Sequence, residues 1–298
     1  MRISTSQFQF ESVARMLDQQ AKLSKTQQQV ATGRKILSPS DDPAGSARIL
    51  DLNQVISVNE QYQRNADAAK SRLDAEESAI QGMQDLYQRG RELAVQGLSD
   101  TLSDDNRKAI EIEMRQLLDE MTSLAGRKDA NGEYIFSGFQ GNQNPVGDNG
   151  SGTYTYLGDQ GTRQIQIGPS RQIAAGDTGF DVFFNIQNTS ENAFSVLYKF
   201  ADSLANGTQD ASSLDDFDAV MNNFSNISAK IGARVNSIDS QKGVNDSLVL
   251  QSKTVLSSIQ DLDLAEAVTK LNLQQVGLQA AQQSYTRVQG LSLFNYLP

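Results

Sequence analysis

Leu264-Ala-Glu-Ala-Val-Thr-Lys-Leu271-Asn-Leu-Gln-Gln-Val-Gly-Leu278-Gln-Ala-Ala-Gln-Gln-Ser-Tyr285, close to the end of a 298-residue chain, repeats a large apolar residue at every seventh position. A seven-residue repeat of this kind is the seam of an α-helix that packs along a partner helix. The start of the chain supplies a match, because Met16, Leu23, Val30 and Leu37 carry the same repeat. Matched repeats at opposite ends predict one antiparallel pairing of the two termini. Both arms are rich in Gln, and Gln20, Gln27, Gln275 and Gln282 are expected at the alternate seam positions. A seam half filled with Gln offers little apolar area, so these arms are expected to gain partners by assembly rather than alone.

Between the arms the chain divides by its prolines and glycines. No Pro occurs in 44–144 or 170–297, which permits long helices there. Steps of three and four run through Leu52, Val55, Tyr62, Ala66, Ala69, Leu73, Ile80, Met83, Tyr87 and Ala94. A continuous helix over 46–98 would be about 80 Å long. Ile110, Met114, Leu117, Met121 and Leu124 mark a third helix, with Ser103, Asp104 and Asp105 as start signals. Phe224, Ile227, Ile231, Ile238, Leu248, Val255, Ile259 and Leu262 continue the pattern later in the chain. Half of the 22 glycines fall in 131–180, and that stretch reads as β structure. Thr153–Leu157 and Arg163–Ile167, separated by Gly158-Asp-Gln-Gly161, predict a hairpin in which Asp159 holds the turn and Arg163 pairs with it.

Composition removes several classes of chemistry. The chain has no Cys and no His, so disulfides, thiolate metal sites and His-based catalytic triads are excluded. The net charge of -10 argues against a nucleic-acid binder. Residues 1–50 carry +3, residues 255–298 carry -1, and the middle carries -12. Near-neutral ends suit helices that pack beside copies of themselves, since like charges in a crowded core are costly. No stretch reaches the roughly 20 apolar residues of a membrane span, so no membrane insertion is expected. The start, MRISTSQFQFESVARML, lacks an apolar signal-peptide core, so export without a cleaved signal peptide is expected. Asp41 and Asp42 read as helix caps before Pro43. No metal, cofactor or catalytic residue is expected.

Thr32-Gly-Arg-Lys-Ile-Leu-Ser-Pro-Ser-Asp-Asp-Pro-Ala-Gly-Ser-Ala-Arg-Ile-Leu50 resembles the flagellin-type N-terminal signature. Residues 261–297, ending Leu291-Ser-Leu-Phe294-Asn-Tyr-Leu, resemble the matching C-terminal helix. These ends do not separate flagellins from junction proteins. Asn131-Gly-Glu-Tyr-Ile-Phe-Ser-Gly-Phe139 and Tyr156-Leu-Gly-Asp-Gln-Gly-Thr-Arg-Gln-Ile-Gln-Ile-Gly168, with Asp239-Ser240, resemble the family of the third hook-associated protein, the FlgL type. The resemblance implies a mainly α fold with an inserted β domain: a long antiparallel helical rod built from both ends, plus a small central β-rich domain. It implies three parts: 1–45 with 258–298, 46–130 with 195–257, and 131–194. It implies a structural, non-enzymatic subunit of the extracellular flagellum at the junction of hook and filament, with filament flagellin as the alternative. The partners it implies are copies of the chain, the first hook-associated protein on the hook side, flagellin on the filament side, and an export chaperone at the C-terminal helix. The expected assembly residues are Met16, Leu23, Val30, Leu264, Leu271, Leu278 and Tyr285.

Overall fold

The structure is a computed structural model that describes residues 5–99, 102–208 and 210–290. The C-terminal motif from Leu291 to Leu297 lies outside the described residues. The chain is mainly α with a β-rich segment inserted in its middle. In order come α1 (Thr5–Thr32), α2 (Pro43–Gly97), α3 (Asp104–Ala125), β1 (Val146–Asp148), β2 (Tyr154–Tyr156), β3 (Gln164–Gly168), β4 (Arg171–Ala174), a π-helical turn (Phe180–Phe184), α4 (Ala193–Asn206), α5 (Ser213–Gln260) and α6 (Leu264–Gly290). Two compact units emerge: one from 1–58 with 248–298, the other from 59–247.

Within the 59–247 unit, α2 and α5 run antiparallel, and polar pairs fix their register. Gln63 donates to Asp246, Lys242 pairs with Asp67, Lys70 with Asp239 at 2.8 Å, and Arg91 with Asp218 at 2.5 Å. Each step forward along α2 thus meets an equal step back along α5. The apolar stripe expected on α2 points inward, with Ala66, Ala69, Leu73, Ile80, Met83, Tyr87 and Ala94 fully buried. Helix α3 starts at Ser103, whose hydroxyl accepts from the Asn106 N–H, and returns along α2 through an Arg89–Glu113 ion pair. Helix α4, which was not expected, begins at Asn192, whose side-chain oxygen caps the Phe194 and Ser195 N–H groups. It closes on Gly207 in the left-handed conformation. Its Arg115 neighbour on α3 stacks over Tyr198, 5.6 Å from the ring centre.

An aromatic cluster forms the centre of this core. Tyr87 meets Phe217 and Phe224, and Phe183 meets Phe136, Phe194 and Phe224, at centroid separations of 5.0–6.5 Å. Such edge and tilted contacts each add about 0.5–1.5 kcal/mol beyond burial. The buried Tyr87 hydroxyl donates to the Ala193 carbonyl and so ties α2 to the start of α4.

The β segment corrects the expected hairpin. Thr153–Leu157 does not pair with Arg163–Ile167. Instead β2 pairs antiparallel with β1, and β3 pairs antiparallel with β4. Pro169 and Ser170 form the turn between β3 and β4. The loop between β2 and β3 is committed elsewhere. The Tyr156 hydroxyl donates to the carbonyls of Phe136 and Asp159, and the Asp159 carboxylate accepts from the N–H groups of Phe139 and Gly161. Asp159 does hold a turn, but its partners are backbone amides. Arg163 pairs with Glu133 at 3.2 Å, not with Asp159.

Candidate assembly interface

The expected assembly residues all lie in the unit made of 1–58 with 248–298. Helices α1 and α6 pair antiparallel there, closing at the base where Arg34 and Asp261 form a β-bridge. Met16, Leu23, Val30, Leu271, Leu278 and Tyr285 are all partly buried along the contact between the two helices. Leu264, in the first turn of α6, is 55% exposed. The alternate positions differ from expectation. Gln20, Gln27, Gln275 and Gln282 face solvent, and the seam is completed by Ser12, Gln19 and Thr26 on α1 and by Ala267, Gln274 and Ala281 on α6. A heptad can alternate three-then-four or four-then-three, and spacing alone does not choose between them. The partner helix chooses here: Gln19 Nε2 would lie 3.3 Å from a Cβ at Gly277, so a glycine opens room for Gln19.

The seam remains poor in apolar contact. Buried Gln274 Oε1 has no hydrogen-bond partner among the described residues, and a groove of about 400 Å³ lies between Met16, Gln19, Gly277, Ala281 and Tyr285. Meanwhile apolar side chains point outward. Phe10, Leu17, Leu273 and Val276 are 60–77% exposed, and Val268 joins them. Arg15–Glu11 and Lys22–Asp18 are exposed pairs within α1 that add little stability.

The flagellin-type signature builds the base of this hairpin. Gly33 ends α1 at φ +67, a conformation that favours glycine. Beyond it the chain bonds to the α5–α6 connection, with the Lys35 N–H on the Gln260 carbonyl and the Leu262 N–H on the Gly33 carbonyl. Asp41 accepts from the Leu37 and Ser38 N–H groups and from Lys25 Nζ at 2.6 Å. Its hydrogen bond from Lys25, then that from Leu37, hold its carboxyl below the usual carboxylate range. Asp42 caps α2 through the Gly45 N–H, with Pro43 in the first turn. Gly45 is there for space: a Cβ would stand 2.5 Å from Asp42 Oδ2 and 2.7 Å from Ile36 Cδ1. Asp42 is thus the helix cap; Asp41, also expected as a cap, instead ties the loop at Leu37 and Ser38 to Lys25. Among the described residues no group of three acidic side chains is placed to hold a metal ion.

One strongly perturbed carboxyl lies in the other unit. Glu76 is fully buried; burial, then the nearby Asp177 carboxylate, push its pKa up to about 8. Its Oε1 accepts the Asp177 N–H at 3.0 Å, and its Oε2 has no hydrogen-bond partner among the described residues. Asp177 is itself locked in a two-pronged pair with Arg234, both contacts at 2.8 Å. The sequence marked neither residue, since one acidic residue among many, on a helix for Glu76 and in a loop for Asp177, shows no sign of burial.

The model of the bacterial flagellin N-terminal helical region matches residues 3–141. The chain is similar to flagellar hook-associated protein 3 of Escherichia coli at 28% identity and of Salmonella typhimurium at 26%, covering 99% of each chain in both comparisons. It is similar to a Listeria monocytogenes flagellin at 23% identity, over 84% of this chain and 82% of the flagellin. In fold it is similar to a hook-associated protein from Vibrio parahaemolyticus, with TM-score 0.68 and 21% identity, over 74% of this chain and 100% of that one. The flagellar junction protein FlgL from Legionella pneumophila shares the fold at TM-score 0.63 and 20% identity, over 72% of this chain and 99% of that one. The resemblance to hook-associated protein 3 thus runs the whole length of the chain.

Proposed function

We propose that the chain is a structural subunit of the bacterial flagellum, forming the junction between hook and filament. The observation that carries this reading is the end-to-end similarity to hook-associated protein 3, central β segment included, where similarity to flagellin is partial. The terminal hairpin supplies the means of assembly. Its seam is half polar, a groove runs beside it, and its outer face presents apolar residues. Neighbouring hairpins packed against that face would remove apolar area from water, at about 25 cal/mol per Å².

The partners follow from the position. Copies of the chain would occupy the same layer, the first hook-associated protein would lie below and flagellin above. Export would proceed without a cleaved signal peptide, with a chaperone on the C-terminal helix, whose outward Leu273 and Val276 are an aggregation hazard before assembly. The division into 1–45 with 258–298, 46–130 with 195–257, and 131–194 would assign assembly to the first part. A role other than catalysis is supported by Glu76, whose perturbed carboxyl is sealed in the protein interior away from substrate. Deletion of the gene tests the reading. Cells should build complete hooks and lose flagellin to the medium. Normal filaments on the deletion strain would overturn it.

A further inference from the structure

The 59–247 unit has a hollow that the assembly reading does not use. It has a volume of about 490 Å³ and lies between the segment 181–188 and one face of α5. That volume is in the range of small-ligand sites, about 300–1,000 Å³. Its walls are amide-rich: Asn185, Gln187 and Asn188 on one side, Asn222 and Asn226 with Lys230 on the other. The last three follow one another at four-residue steps and so share a helix face. Ala219 and Ile227, both buried, give the hollow a small apolar floor.

Three features make this more than a wet surface. Asn223 braces the wall, its Nδ2 donating to the carbonyls of Asp181 and Val182 at 3.1 and 2.9 Å, which fixes the π-helical turn against α5. Asn188, on the rim, is the one described non-glycine residue in the left-handed region, at φ +68. Asn adopts that conformation readily in turns, and here it shapes the rim. Finally, the exposed side chains of Asn185, Gln187, Asn188, Asn222, Asn226 and Lys230 hydrogen-bond to no other described residue, so their donors and acceptors face the open hollow.

We propose that this hollow binds a neutral, polyhydroxylated ligand of about monosaccharide size. Each amide offers donors and an acceptor side by side, which matches hydroxyls that both give and take a hydrogen bond. An anion is disfavoured, because Asp181 lies in the lining beside a single Lys. An extended peptide is disfavoured too: it needs a free strand edge, and the α5 wall has its backbone groups bonded within the helix.

The test is a titration of the ¹⁵N-labelled full chain with glucose, galactose and N-acetylglucosamine, followed by NMR. Saturable shifts are expected in the side-chain amides of Asn222 and Asn226 and the backbone amides of 185–188, at millimolar affinity. In Asn222→Ala/Asn226→Ala, whose changes fall on exposed positions, binding should weaken at least tenfold with the rest of the spectrum unchanged. No saturable shift with any of the three sugars would overturn the proposal. So would equal binding by the double variant, or shifts produced by a Gly-Ser peptide but by no sugar.

Discussion

Single residues in this chain show why a position holds what it does, and Glu76 is the sharpest case. In the unfolded chain its carboxyl ionises near 4.5; in the folded unit it stays neutral until about 8. Between those values the unfolded state gives up a proton that the folded state keeps. The stability contribution is therefore fully present below pH 4.5 and is lost as pH rises through 8, at about 1.4 kcal/mol per unit of displacement. Glu76→Gln keeps an acceptor for the Asp177 N–H and removes the titration. Urea unfolding at pH 5 and pH 8 should show a smaller fall for the variant than for the natural chain; parallel falls would show that Glu76 is ionised inside. Two glycines offer a second comparison. Gly150 and Gly152 both have positive φ, but a Cβ at Gly150 meets nothing, whereas one at Gly152 would lie 2.1 Å from the Tyr198 ring. Gly150→Ala should cost about 1 kcal/mol, from the left-handed backbone alone. Gly152→Ala should cost more, by about 1–3 kcal/mol of overpacking, read from thermal unfolding.

At the scale of elements, the terminal hairpin separates two kinds of apolar residue. Leu271 faces α1, while Leu273 faces out. Leu271→Asp should loosen the hairpin by burying an unpaired charge, leave the 59–247 unit folded, and abolish assembly. Leu273→Asp should leave the hairpin's helical circular dichroism intact and still block assembly. Normal incorporation of the Leu273→Asp subunit into flagella would show that the outer face is not used. The contrast also marks what sequence can give. The repeat through Leu271 and Leu278 was legible because helix geometry forces a period near seven. The choice of Gln274 over Gln275 was not legible, because only the partner helix, with its small residues, decides it. The α2 stripe was readable for the same periodic reason, apart from exposed Val55, whose seam place is taken by Ile56. Strand pairing was less so: Thr153–Leu157 and Arg163–Ile167 looked like a hairpin, but side-chain bonds from Tyr156 and Asp159 commit the loop between them elsewhere. Helix α4 does carry a helical period, in Leu197, Phe200, Ala201 and Leu204 between the Asn192 cap and Gly207, whereas the amide hollow rests on non-local contacts that leave no such trace.

For the whole molecule, charge and similarity point the same way. The ends are near neutral and the middle carries -12, so terminal hairpins can crowd together while the bodies stay solvated. The N-terminal part resembles that of flagellin, as residues 3–141 match its N-terminal helical region. Ends of that kind would enter a flagellin lattice, and the central segment would decide which neighbour is tolerated, by contacts that fit one and reject another. A junction subunit must accept flagellin and yet not replace it. The most direct measurement of that claim is seeded growth: purified chain is added to filament fragments and the added length is followed by electron microscopy. The junction account predicts at most a short layer that stops. Continuous growth of long filaments from this chain alone would contradict it and make the protein a flagellin.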